Sequence, residues 1–146
     1  MKPNYRQIYA IEKKNREKLL AVNPKLDDGS GIYFLTRTGE NGISYFYIGQ
    51  ALHILQRMCS HLTGYQHIDL SIKKRGFYSE ENPYGWKLNF LHYPKDELDK
   101  WEQSWILAFT KKGYQCRYNK TAGGQGEGKE KINEFKAPRG YRDGIQ

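Results

Sequence analysis

Three groups of residues in this 146-residue chain have the types and spacings that chemistry needs. In the run GIYFLTRTGENGISYFYIG, residues 31–49, alternation puts Ile32, Phe34, Phe46 and Ile48 on one face of two strands and Tyr33, Tyr45 and Tyr47 on the other. A core uses the apolar face, whereas a row of phenols on the opposite face is either covered by other elements or lines a site. Arg57 and His61 stand one helical turn apart, about 100° to the side of a stripe formed by Ala51, Leu55, Met58 and Leu62. Such an edge is half covered and half wet, which suits a surface pair or the wall of a cleft. Glu102 falls in the middle of an apolar helical stripe of Leu98, Trp105, Ile106 and Phe109. A carboxylate there is costly unless it is paired, protonated or bound to a metal, so an ion pair within the fold and a metal or active-site role both fit.

Periodicity and stop signals outline the elements that must position these groups. Residues 5–22 have helical apolar spacing at Ile8, Ile11, Leu19 and Leu20, and Asn23-Pro24 is a stop. The hairpin follows, its turn built from Thr38, Gly39, Glu40, Asn41 and Gly42, and then a helix over about residues 50–63 closed by Gly64. Residues 65–85 read as mostly loop with one short helix at the start, and residues 86–93 as a third strand. Pro94 opens a helix running to Gly113, with Asp96, Glu97 and Asp99 early and Lys111 and Lys112 late, as the helix dipole favours. The order β-β-α-β-α predicts a small α+β domain with helices against a short sheet.

Composition narrows the partners. Residues 1–28 carry a net +3, residues 29–110 are neutral, and residues 111–146 carry +5. Basic ends around a neutral centre suit a polyanion such as DNA, and they also keep a chain soluble. No apolar stretch approaches membrane-spanning length and the N-terminus lacks the apolar region of a signal peptide, so a cytoplasmic location is expected. Cys59 and Cys116 have neither a CxxC spacing nor a Cys/His partner pattern, which argues against structural zinc and for reduced thiols. The run TAGGQGEGKEK imitates a phosphate-binding loop, but Glu130 stands where Ser or Thr should follow Lys129, so an NTPase is disfavoured. Its glycines suit close approach to phosphates or a flexible link to the basic tail.

Taken together, Gly31-Ile32-Tyr33, Tyr47-Ile48-Gly49, Arg57, His61, Glu102 and Asn119 form one ordered set, and over roughly residues 30–125 the chain resembles the GIY-YIG nuclease family. Thirteen residues separate the two triplets and Arg57 stands eight after Gly49. The resemblance implies an α/β sandwich with a short antiparallel sheet of about three strands, and metal-dependent hydrolysis of DNA phosphodiesters. It divides the chain into an N-terminal helical arm (1–28), a nuclease domain (29–126) and a basic tail (127–146), like free-standing members from phages, mobile elements or restriction systems. Within it, Glu102 would hold one Mg2+ or Mn2+, with water and phosphate as the other ligands. Arg57 would bind the phosphate, and Tyr33 would act as base, with His61 sharing a proton with Tyr33 or Tyr47. Tyr47 would position the phosphate and Asn119 would orient groups by hydrogen bonds. A competing assignment makes His61 or metal-bound hydroxide the base, with both tyrosines as hydrogen-bond donors. One centre per chain implies sequential nicks or a homodimer, and the rival function is a DNA-binding module whose nuclease centre has lapsed.

Overall fold

The computed structural model describes residues 4–116 and 118. Asn119, the glycine-rich run and the basic tail therefore lie outside the described residues. Elements follow in the order α1 (Tyr5–Val22), β1 (Gly31–Thr38), β2 (Ser44–Ala51), α2 (Ile54–Thr63), α3 (His67–Arg75), β3 (Lys87–His92), a 3-10 turn (Lys95–Glu97) and α4 (Leu98–Lys111). The fold is α+β, with a three-stranded antiparallel sheet in the order β2-β1-β3. Among the described residues no helix is long and apolar enough to cross a membrane.

β1 is the central strand and is buried on both faces through most of its length. Its odd positions, Tyr33 and Leu35, join Tyr45 and Tyr47 of β2 in a core completed by Leu19 of α1, Ile54, Leu55, Met58 and Cys59 of α2, and Ile68 and Ile72 of α3. Its even positions, Ile32 and Phe34, join Phe46 and Ile48 against Leu98 and Ile106 of α4. Alternation along two strands thus builds a three-layer arrangement, with α1 to α3 on the tyrosine face and α4 on the other.

Two glycines fix how closely the strands meet. A Cβ on Gly31 would lie 2.1 Å from the Leu91 carbonyl oxygen across the β1/β3 pair. A Cβ on Gly49 would lie 2.4 Å from both Cζ and Oη of Tyr33, its register partner, so the Tyr33 ring lies in space that any side chain at 49 would take.

Three expectations are revised. α2 begins at Ile54, because Gln50 and Ala51 remain paired with Ile32 and Gly31 as the last residues of β2. Pro94 is followed by a 3-10 turn before α4 begins at Leu98. The amphipathic reading of α1 holds only in part: Leu19 is buried, while Ile8, Ile11 and Leu20 remain exposed. Its start is nonetheless well defined, with Asn4 and Gln7 exchanging side-chain to backbone hydrogen bonds of 2.8 and 2.9 Å.

Candidate active site

Tyr33 and Tyr47 project from β1 and β2 toward α2, and their rings and the His61 imidazole pack edge-on with centroids 5.6 to 6.2 Å apart. His61 is only 1% exposed, so the half-wet edge expected from helical spacing is closed in the fold. α3 is what closes it. The Asp69 carboxylate places Oδ1 2.5 Å from His61 Nδ1, and the other ring nitrogen, Nε2, is 2.8 Å from the Tyr33 hydroxyl. Burial pushes the Asp69 carboxyl up, but the bonds from His61 and the Gln66 N–H and the charges of His61 and Arg57 outweigh it and hold it below its ordinary value. Asp69 is therefore ionised at neutral pH and acceptor-only. His61 must donate from Nδ1, which leaves Nε2 to accept from the Tyr33 O–H. The result is a directed chain from Tyr33 through His61 to Asp69.

Asp69 is the residue that sequence reading missed, since it lay in a stretch read as mostly loop. It does two tasks at once: Oδ2 accepts the Gln66 N–H at 3.0 Å in the capping box that starts α3, while Oδ1 holds His61. Gly64 clears the space, because a Cβ there would stand 2.1 Å from Asp69 Oδ2. The signals available were the QHID capping pattern and the Gly64 stop just before it.

Arg57 is half-buried, as its edge position on α2 predicted, and it stands beside both phenols. Burial drives the Tyr33 hydroxyl well above its ordinary pKa, Tyr47 and Glu102 add to that, and the charge and hydrogen bond of Arg57 work against it. The Tyr47 hydroxyl is pushed up to about 12, first by burial and then by the Glu102 charge, with Arg57 again opposing. Both phenols are thus neutral donors at physiological pH. A freely formed phenolate at Tyr33 is disfavoured in the protein alone, so its proton can pass to His61 only as the phenol oxygen takes up another.

Glu102 is partly exposed rather than sealed in the apolar stripe, because β2 is an edge strand and α4 passes its end. Gln50 Nε2, from the penultimate residue of β2, donates 2.7 Å bonds to both Glu102 Oε1 and Asp99 Oδ1. A second carboxylate therefore stands beside Glu102, one that the sequence reading had not selected. The amide sits between two acids much as a cation would. Among the described residues no group of three or more His, Cys, Asp or Glu gathers. A cation here would take Glu102, with Asp99 in reach, from the protein and its remaining ligands from water and phosphate, which is the pattern Mg2+ tolerates best. The donor set fits such an ion.

The structure brings together Tyr33, Tyr47, Arg57 and His61, with Glu102 in electrostatic reach of both phenols. Asn119 lies outside the described residues. No protein-family model, curated protein or solved structure matches the chain.

Proposed function

We propose that the protein is a metal-dependent DNA endonuclease of the GIY-YIG type. The observation that carries this reading is the buried chain Tyr33, His61, Asp69 with Arg57 alongside, a gathering of proton-transfer groups around one charged fork. Hydrolysis of a phosphodiester requires a proton acceptor for water, positive charge on the non-bridging oxygens and help for the leaving oxygen. The Tyr33 oxygen accepts the proton from water as its own O–H proton passes to His61 Nε2, so no free phenolate forms. The Asp69 carboxylate stabilises the imidazolium through Nδ1. Arg57, with its planar and permanently charged fork, binds the phosphate, and Tyr47 donates a hydrogen bond to it. Mg2+ or Mn2+ held by Glu102 would supply Lewis-acid stabilisation of phosphate and leaving-group charge. Tyr33 and His61 are equally buried, at 1% exposed each, so enclosure does not choose between them; both ring nitrogens of His61 are already bonded, to Tyr33 and to Asp69, which favours it as the second member of a relay over the role of direct base.

The test is incubation of supercoiled plasmid with Mg2+ or Mn2+, with EDTA as control, for the wild type and Glu102→Gln. Cleavage by the wild type alone is expected, with folding and DNA affinity of the variant unchanged. Undiminished cleavage by Glu102→Gln at saturating Mg2+ would remove Glu102 from the site. DNA binding without any cleavage by the wild type would favour the lapsed module instead.

A further inference from the structure

We propose that the concavity between the β1/β2 turn and the end of α3, floored by Arg37 and walled by Arg75, is a second anion site that takes a DNA backbone phosphate other than the scissile one. Arg37 continues the face of Tyr33 and Leu35 along β1 and is 6% exposed. Among the described residues it makes no ion pair, and its one hydrogen bond runs from Nε to the Tyr84 carbonyl oxygen at 2.9 Å. Its guanidinium lies over the rings of Tyr45 and Trp86, at 5.3 and 5.7 Å from their centroids. Those contacts cushion the flat faces of the group, and among the described residues no hydrogen bond runs from its Nη atoms. A largely buried cation with donors to spare is a favourable partner for an anion.

The surroundings select the kind of anion. The concavity, about 200 Å³, is lined by Arg37, Gly39, Glu40, Asn41, Tyr45 and Arg75. At roughly 30 Å³ per water it has room for a phosphate group with some hydration, and it falls short of the ~300 Å³ at which small-molecule pockets begin. Arg75 is exposed and adds a second charge; burial first, and then the Arg75 charge, lower the Arg37 pKa. Asn41 accepts the Ile43 N–H with Oδ1 at 3.0 Å, which turns its Nδ2 into a further donor. Glu40 is the acid of the set, and it is an exposed residue of the turn. A Cβ on Gly39 would come 3.0 Å from Asn41 Oδ1 and 3.6 Å from Arg37 Nη2, so a longer side chain there would grow into the concavity. Arg37 is four residues along the strand from Tyr33, about 14 Å at ~3.4 Å per residue, so it cannot share the scissile phosphate. With one phosphate per ~3.4 Å of axis on each strand, that span is several nucleotides.

The assignment to DNA rests on the nuclease reading; the anion site itself does not. Two arms separate them. In the first, the arginine Nε–Hε signals of the wild type are followed by NMR during titration with inorganic phosphate, with chloride at equal ionic strength as control. Arg37 and Arg75 signals should shift with phosphate only, and equal response to chloride overturns the site. In the second, log Kd for duplex DNA is measured against log salt for the wild type, Arg75→Gln and Gly39→Leu. Arg75→Gln should lower the slope by about 0.9. Gly39→Leu, which fills the concavity without changing charge, should weaken binding several-fold on any sequence. A phosphate response with unchanged DNA slopes for both variants overturns the DNA assignment and leaves free phosphate as the ligand. Lowered slopes in a protein that cuts no plasmid would sink the nuclease reading while sustaining the site.

Discussion

Asp69 shows what a single carboxylate can do when its two oxygens have different partners. Removing its charge while keeping its shape is the sharpest probe of the relay. Asp69→Asn should lower the single-turnover cleavage rate by about 10²-fold or more, within the range of proton-transfer catalysis, with DNA affinity unchanged. Tyr33→Phe should do the same, since ring and packing stay and only the acceptor oxygen goes. The pH profile tells positioning from simple loss of structure: its shape should change in both Asp69→Asn and Tyr33→Phe, because each variant interrupts the path along which the proton moves. A near-normal rate and unshifted profile in Tyr33→Phe would sink the relay. At this scale the sequence was legible wherever a residue's role follows from its own element. Tyr33, Tyr47 and Arg57 stand where strand alternation and helical spacing put them. Asp69 and Asp99 were not legible, since each matters only because a second element, α2 for one and β2 for the other, brings its partner to it.

Helices and strands were legible in kind and less so at their ends. α1 and the hairpin were read with their boundaries nearly right because caps and glycines mark them locally. The start of α2 was misread because helical spacing at Ala51 cannot reveal that β1 extends far enough to keep Gln50 and Ala51 in the sheet. α3, at His67–Arg75, is the short helix expected at the start of residues 65–85, with Ile68 and Ile72 as its apolar positions. Its N-terminal cap and the chain from Tyr33 through His61 to Asp69 share one carboxylate, so they should fail together. Gly64→Ala leaves every site residue in place chemically, yet its methyl group would displace Asp69 Oδ2. Loss of about 1–3 kcal/mol in urea unfolding is expected, as for an orphaned buried polar group, with a rate defect parallel to that of Asp69→Asn. Normal stability together with a normal rate would mean that the loop yields and the carboxylate does not.

For the molecule as a whole, burying two phenols beside the Glu102 carboxylate ties stability to alkaline pH. The folded Tyr47 value, about 12, lies above the ordinary value of about 10, and Tyr33 is shifted in the same direction. Its contribution is therefore complete below pH 10 and is lost as pH climbs toward 12, since only the unfolded chain ionises freely there. At about 1.4 kcal/mol per unit, Tyr47 alone accounts for roughly 3 kcal/mol across that window. Urea midpoints between pH 9 and 12 should fall less steeply for Tyr47→Phe than for the wild type, and parallel curves would contradict the burial of that hydroxyl. The packing of Tyr33 against Gly49 has a different kind of consequence, one for descent. Because the ring fills the volume a side chain at 49 would need, neither position can drift alone: a methyl group gained at 49 is tolerated only in a chain that has already given up the aromatic at 33, and with it the proton acceptor. On the nuclease reading the two triplets are then expected to persist or change together.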